Sequence, residues 1–105
     1  MIIEFDKDYL RDLYTKGKAS DKKHRYQPEV IRGYQKAVFI LSSANAITDL
    51  FQNKSLNYEV LIGDKKGISS VRINKQYRLE FTVRETMNEQ IVTVCRLLDI
   101  SNHYK

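Results

Sequence analysis

The sequence predicts an α+β fold, in which an N-terminal strand and two to three helices pack on a small antiparallel β-sheet. Two observations support this prediction. Apolar residues recur at intervals of three and four over residues 9–51, and mostly at intervals of two from residue 68 onward. A chain of 105 residues also suits one compact unit, so we expect residues 1–105 to form a single domain.

The first half of the chain predicts a strand followed by helices. Residues 1–5 are mostly apolar, which is typical of a short pairing strand at a sheet edge. We expect Asp6 to cap a first helix, Pro28 to lie in the first turn of a second, and Ser43 to cap a shorter third helix. The apolar stripes of these helices are Tyr9, Leu10, Leu13 and Tyr14; Val30, Tyr34, Ala37, Val38 and Leu41; and Ala46, Ile47, Leu50 and Phe51.

The second half predicts an antiparallel meander of strands. Apolar and polar side chains alternate in residues 68–73 and 77–84, and residues 74–76 suit a hairpin connection. Residues 85–90 are mostly polar and predict a turn. Residues 91–100 are apolar on both faces, as expected of a central strand covered on two sides. We expect Cys95 in this strand to be a small buried residue and not a reactive thiol.

Composition excludes several classes of protein. With 42% hydrophobic and 30% charged residues, the chain is typical of a globular protein. No stretch approaches the roughly 18 consecutive apolar residues of a membrane helix. The first residues do not form a secretory signal peptide. A single cysteine cannot form an internal disulfide, and no Cys/His group has zinc spacing. We therefore expect a cytoplasmic protein with no membrane partner, metal or cofactor.

The charge points to polyanionic partners. Lys and Arg number 18 against 13 Asp and Glu, which gives a net charge of +5. Such a domain favours nucleic acid, an acidic protein or an anionic surface, although a basic surface can also serve solubility alone. A basic loop, residues 16–25, holds five basic residues and one acid, Asp21. A flexible connector is the favoured interpretation of this loop over a binding loop, and His24 within it has no evident partner.

Residues 65–78 form a second basic segment, with five basic side chains and no acid. Arg72 and Arg78 lie on polar strand faces, and a hairpin would bring their strands together. A shared face would make a compact cationic patch that suits a phosphodiester, because arginine offers a planar fork of donors and lysine a movable point charge. The alternative is a solvated sheet face with cross-strand pairs such as arginine with Glu80.

The chain also carries a His-Tyr pair directly after the predicted central strand, at His103 and Tyr104. Imidazole titrates near neutral pH and can act in acid–base chemistry. Alone, such a histidine is more often an ordinary tail residue.

Together these two features resemble the RelE/ParE superfamily of bacterial toxins, and its HigB-like branch in particular. The resemblance is carried by residues 61–81, LIGDKKGISSVRINKQYRLEF, and by the later His103-Tyr104. It implies the RelE-like microbial RNase fold. It also implies an endoribonuclease that cuts mRNA in the ribosomal A site without a metal, by attack of a 2′-OH on the adjacent phosphate.

The resemblance also implies roles for individual residues. Arg72 matches the arginine that meets the scissile phosphate, His103 an acid or base, and Tyr104 its aromatic neighbour. Glu59 corresponds to a general base in some relatives. The basic positions that would hold the RNA backbone are Lys65, Lys66, Lys75 and Arg78.

Two departures from the family pattern leave alternatives open. Ile62 stands where lysine is common, and Asp99 lies four residues before His103 instead of directly before a Tyr-His pair. These departures leave open which residue is acid and which is base. They also leave open the interpretation that the chain is a degenerate toxin without activity. A ParE-like inhibitor that binds DNA gyrase without cutting RNA is the main alternative.

The resemblance finally implies partners. These are a cognate antitoxin, the ribosome with its rRNA and mRNA, and operator DNA that is reached through the antitoxin.

Overall fold

The computed structural model describes residues 1–87 and 89–102. It contains five strands and two α-helices in these residues. In chain order they are β1 (Ile2–Phe5), α1 (Asp8–Lys16), α2 (Pro28–Ser43), β2 (Glu59–Val60), β3 (Ser69–Arg72), β4 (Arg78–Met87) and β5 (Ile91–Ser101). Short 3-10 turns occupy Lys22–His24, Ile47–Gln52, Lys54–Leu56 and Gly63–Lys65. The predicted α+β class and the order of strand, helices and meander are confirmed.

The sheet is mixed, whereas the sequence predicted an antiparallel one. Its strand order is β1-β5-β4-β3-β2, and β1 pairs parallel with β5 while the other pairs are antiparallel. Parallel pairing requires the chain to cross over before it returns, and here both helices and strands β2, β3 and β4 lie between β1 and β5 in the sequence. As predicted, β1 is an edge strand, and β5 lies inside the sheet between β1 and β4.

The core lies between the sheet and the helices. Fully buried side chains of α1 and α2 pack against the buried faces of β3, β4 and β5. The Tyr34 hydroxyl donates to the Leu10 carbonyl at 2.7 Å, which ties the two helices together inside this apolar layer. Cys95 is buried, as predicted, and burial raises the pKa of its thiol to about 11. Neither described helix is long and apolar enough to span a bilayer.

Two predicted helix caps are wrong. The residue that precedes α1 is Lys7, because Asp6 instead receives hydrogen bonds from the Arg96 guanidinium, the shorter at 2.9 Å. Helix α2 runs through Ser43, and a 3-10 turn replaces the predicted third helix. That turn begins where Asp49 accepts from the backbone N–H groups of Asn45 and Ala46, so a carboxylate acts where a serine was expected.

The strand boundaries also differ from the prediction. Strand β3 is shorter than expected, and β4 continues through Met87 into the segment expected to be a turn. The reason is cross-strand pairing, because Glu85, Thr86 and Met87 each have a partner on β5. Polar residues can extend a strand when a neighbouring strand satisfies their backbone groups.

Candidate functional site

A row of residues crosses the sheet at the end of β3. Arg72 on β3 lies directly opposite Arg78 on β4, and Arg78 lies opposite Ser101 on β5. Directly paired residues of antiparallel strands point to the same face. The two arginines therefore share a face, a point that the sequence left open, and the row reaches the last residue of β5.

Arg78 differs from the exposed arginine that the sequence suggested. It is only 6% exposed, and its Nε donates to Ser70 Oγ at 2.8 Å. Its guanidinium also donates to the Asn57 carbonyl and lies 3.6 Å from Glu59 Oε1. Sequence alternation placed Arg78 on a polar face, but it could not show that the segment around β2 folds over that face. Its role in RNA binding stays a prediction.

Lys65 and Glu80 form a second pair beside Arg78. Lys65 Nζ lies 2.7 Å from Glu80 Oε2, and the Glu80 side chain is almost fully buried. Glu80 was considered as a cross-strand partner of an arginine, whereas Lys65, which pairs with it here, comes from the 3-10 turn before β3. Lys65 is half-exposed, so part of this lysine faces solvent. The predicted contact of Lys65 with RNA is not tested by this geometry.

Arg72, Lys66 and Lys75 are the exposed cations of this region, and we call them the hairpin cations. Arg72 Nε donates to the Asn74 carbonyl at 3.2 Å. None of the three has an ion pair with any residue in 1–87 or 89–102. Lys66 precedes β3 and Lys75 lies in the turn after it, so they flank Arg72 from the two ends of a four-residue strand.

The β3–β4 turn holds Arg72 in place without a glycine. Asn74 Oδ1 accepts from the backbone N–H of Gln76 at 2.9 Å and of Tyr77 at 2.7 Å. An asparagine that bonds the backbone two residues on is a known way to build a tight turn. The predicted hairpin connection at residues 74–76 is therefore confirmed. The Asn74 side chain stabilises this turn, so no glycine is needed.

Helix α2 supports the same turn from behind. A Cβ added to Gly33 would lie 2.8 Å from the carbonyl oxygen of Ile73, the residue after Arg72. Only glycine allows this close approach of helix and hairpin. The backbone at Arg72 is thus held by the Asn74 turn and by the close approach of helix α2.

The end of β5 is fixed by Tyr9 and Lys7. The Tyr9 hydroxyl donates to Asp99 Oδ1 and accepts from the Ile100 N–H, and Lys7 Nζ lies 3.3 Å from Asp99 Oδ2. Burial favours the neutral acid, but the Tyr9 and Lys7 contacts outweigh it and lower the pKa of Asp99. Asp99 therefore serves here as an anchor of β5. The sequence analysis missed Tyr9 as its partner, since the two are 90 residues apart.

His24 does have partners, contrary to expectation. Its Nδ1 lies 2.9 Å from Asp21 Oδ2, and its ring stacks on Tyr9 with centroids 3.5 Å apart. The spacing of Asp21 and His24 matches one turn of 3-10 helix, and this was the available sequence signal. The basic loop is therefore packed onto α1, where a flexible connector was expected.

His103 and Tyr104 lie outside the described residues. The described part of the chain holds no group of three or more metal-ligating side chains.

Comparisons with known proteins agree with this arrangement. A family model described as the RelE-like toxin of the type II toxin–antitoxin system HigB matches residues 3–99. The chain belongs to the HigB-like toxin family. It is 39% identical over 85 residues to toxin HigB-1 of Vibrio cholerae serotype O1, covering 77% of this chain and 82% of that protein. A toxin of such a system implies a cognate antitoxin as its partner.

A solved structure supports the fold of this HigB-like toxin. The YoeB/ParE toxin from Agrobacterium tumefaciens aligns with a TM-score of 0.60 over 99% of this chain and 100% of that chain. Sequence identity is only 15%, so this likeness concerns the fold alone.

Proposed function

We propose that this HigB-like toxin is a ribosome-dependent endoribonuclease that cuts mRNA in the ribosomal A site and so arrests translation. The observation that carries the proposal is Arg72. It is an exposed arginine without an acidic partner among the described residues, held by a fixed turn in the same row as the end of β5. Such a side chain suits a phosphodiester that approaches from solvent.

The proposed reaction is an internal transfer at phosphorus. The 2′-oxygen of the nucleotide before the cut forms a bond to the adjacent phosphorus, and the bond from phosphorus to the 5′-oxygen breaks. A base takes the proton of the 2′-OH, and an acid gives a proton to the departing 5′-oxygen. The products are a 2′,3′-cyclic phosphate and a 5′-OH end, so atoms and charges balance without a co-reactant.

Arg72 would stabilise the negative charge that grows on the phosphoryl oxygens. Two N–H donors of a guanidinium can meet two such oxygens at once. Because the turn and Gly33 fix its backbone, little reorganisation is needed when the charge develops.

His103 would supply the acid or base, with Tyr104 beside the base or the sugar. His103 follows β5 in the sequence, and the last residue of β5, Ser101, lies two strands from Arg72, which is about 10 Å in a sheet. We propose that the imidazole acts on a scissile phosphate that Arg72 holds. An imidazole with a pKa near neutrality can both accept and donate a proton.

The remaining basic side chains would hold the RNA on either side of the cut. Lys66 and Lys75 are exposed at the two ends of β3 and are placed to meet neighbouring phosphates. Lys65 and Arg78 lie deeper and are already paired with Glu80 and Glu59. We therefore expect Lys66 and Lys75 to contribute more to RNA affinity than Lys65 and Arg78. We propose that the reaction proceeds without a metal, with Arg72 meeting the phosphoryl charge and His103 in proton transfer.

The proposal includes the cellular setting. Ribosomes and mRNA place the toxin in the cytoplasm, and the antitoxin would block the hairpin cations or a neighbouring surface. Together, toxin and antitoxin would repress their own operon, with the antitoxin making the DNA contacts.

The test is to map mRNA 5′ ends shortly after induction of the toxin, with Arg72→Ala as the matched control. We expect new ends in phase with codons and bearing 5′-OH groups, and we expect them to be absent in the control. Intact messages together with blocked DNA replication would contradict the proposal and favour the gyrase-binding alternative.

A further inference from the structure

The unpaired basic side chains of the described residues are concentrated in a few segments. Five acids pair with cations elsewhere in the described residues: Asp99 with Lys7, Asp8 and Asp12 with the basic residues of α1, and Glu4 and Asp6 with Arg84 of β4 and Arg96 of β5. The cations without an acidic partner in residues 1–87 and 89–102 are Lys18, Lys22, Lys23, Arg25, Arg32, Lys36, Lys54, Lys66, Arg72 and Lys75. The basic loop thus carries four of them, more than the hairpin.

The basic loop has a defined shape. Asp21 accepts from the His24 backbone N–H at 3.2 Å and pairs with its ring, and this hydrogen bonding lowers the pKa of the Asp21 carboxyl. The ring planes of His24 and Tyr9 are only 3° apart. The one acid of the loop is therefore engaged by His24, while the lysines and Arg25 remain exposed.

A cavity of about 340 Å³ lies between this loop and the two helices. Its size falls within the roughly 300–1,000 Å³ of small-ligand pockets. Its apolar lining comes from Leu13 on α1, Ala19 in the loop and Ile31 on α2. Lys18, His24, Arg25 and Tyr26 complete the lining with cations and rings.

The cavity is close to the hairpin. The Tyr26 ring meets the Tyr77 ring edge-on at 5.3 Å, and Tyr77 ends the turn that carries Lys75. Burial raises the pKa of Tyr26 to about 12, so its hydroxyl stays protonated at neutral pH. An RNA strand that occupies the hairpin could therefore continue to the cavity.

We propose that this cavity binds one unstacked nucleobase of an RNA strand, while Lys18 and Arg25 contact the phosphates on either side of it. An apolar pocket edged by aromatic rings suits the flat face of a base, and bases bound in this way are a common mode of single-strand recognition. Two unpaired cations at the same pocket match the charge of the flanking phosphates. The choice of RNA over another polyanion rests on the proposed function. The strand can be mRNA or an unpaired segment of rRNA.

Binding is measured in the Arg72→Ala background, so that cleavage does not interfere. The probes are a short fluorescein-labelled single-stranded RNA and purified ribosomes without mRNA, titrated at several salt concentrations. The variants are Lys18→Glu with Arg25→Glu, which removes the phosphate contacts, and Ala19→Phe, which fills the cavity. Lys54→Glu is the control for a change of charge, because Lys54 is also exposed and lacks an acidic partner among the described residues.

The charge-reversed variant should bind at least tenfold more weakly, and its plot of log affinity against log salt should be shallower by about 1.4. Ala19→Phe should lose about tenfold, the size of one stacked base, with an unchanged slope. The Lys54→Glu control should change the affinity much less. Loss of affinity for the free RNA identifies an mRNA site, and loss for ribosomes alone identifies an rRNA site.

Three results would overturn the inference. The charge-reversed variant could bind both probes as well as the Lys54→Glu control does. Ala19→Phe could fold with an unchanged melting temperature and still bind like its parent. Either variant could keep its RNA affinity and lose affinity for the purified antitoxin, which would assign the cavity to that protein. Each is a binding result, so a toxin that binds RNA here but never cuts it would contradict only the proposed function.

Discussion

The β1 edge of the sheet and the β3–β4 hairpin both carry exposed arginines, but their electrostatic states are opposite. At the β1 edge, Arg84 donates two hydrogen bonds to Glu4, at 2.9 Å and 2.7 Å, and Arg96 bridges Glu4 and Asp6. At the hairpin, Arg72 donates to the Asn74 carbonyl of its own turn and has no acidic partner within residues 1–87 and 89–102. The paired arginines link β4 and β5 to the N-terminal segment that contains Glu4 and Asp6, whereas the unpaired one is available to a ligand.

This difference shows that ion pairing, more than amino-acid composition, decides which basic side chains are available to a polyanion. A net charge of +5 does not distinguish the two regions, since each contains arginine. Paired surface charges contribute little to attracting a polyanion, because their fields largely cancel at a distance. The hairpin cations and the basic loop therefore hold seven of the ten cations that have no acidic partner in the described residues.

The largest effect is expected from His103→Ala, which removes the proposed acid or base. Loss of a general acid or base typically lowers a rate by about 10²- to 10⁴-fold. Cleavage of ribosome-bound mRNA under single-turnover conditions should fall by that factor, without loss of ribosome affinity. Asn102→Ala, an exposed neighbour, is the control and should cleave like the parent. Equal rates for the parent and His103→Ala would remove His103 from the reaction.

A smaller effect is expected when the support of the hairpin is disturbed by Gly33→Ala. Alanine gains about 1 kcal/mol of helix propensity but forces the Ile73 carbonyl away, and overpacking costs about 1–3 kcal/mol. We expect the free energy of unfolding in urea to fall by about 1 kcal/mol and the cleavage rate to fall with it. Lys36→Ala on the same helix should leave the stability nearly unchanged. A fully stable and fully active Gly33→Ala protein would show that the close approach does not position Arg72.

Tyr9→Phe tests the anchor at the end of β5. It removes the donor to Asp99 and one of the two acceptors of the Ile100 N–H. A lost buried hydrogen bond costs about 1 kcal/mol, and the pKa of Asp99 should rise because one of the contacts that lowers it is gone. NMR titration of the Asp99 carboxyl measures this shift. An unchanged pKa of Asp99 would mean that Lys7 alone holds the carboxylate.

The smallest effect is expected at the β1 edge and depends on pH. Hydrogen bonds from Arg84, followed by those from Arg96, lower the pKa of Glu4 from 4.5 to about 2. A lowered folded-state pKa stabilises the fold above the unfolded pKa, and this contribution is lost as the pH falls from about 4.5 to about 2. Glu4→Gln should therefore flatten the melting-temperature profile in this range and leave cleavage at neutral pH unchanged. A profile with the slope of the parent would contradict the strength of this ion-pair network.

Much of the fold could be predicted because its signals are local. The apolar stripe of α2 and the alternation in β4 each lie within one element, and the structure contains both. The place of Arg72 could also be predicted, since alternation puts it on the polar face of its strand. Its proposed contact with the scissile phosphate came from the family resemblance.

The remaining features depend on contacts between distant segments. The parallel pairing of β1 with β5 joins the two ends of the described chain, so no local pattern indicates it. Arg78 is buried because the segment around β2 covers it. The His24 ring stacks on the Tyr9 ring, which lies fifteen residues earlier in the sequence. In each case the decisive neighbour is fixed only when the whole domain has folded.

The most direct test of the account compares Arg72→Ala with Arg84→Ala by growth arrest on induction in the absence of antitoxin. Both variants remove one exposed arginine, and both should remain folded by circular dichroism and accumulate like the parent. We expect Arg72→Ala to grow normally and Arg84→Ala to arrest as the parent does. Arrest by a folded Arg72→Ala protein, or normal growth with a folded Arg84→Ala protein, would contradict the assignment of function to the unpaired hairpin cations.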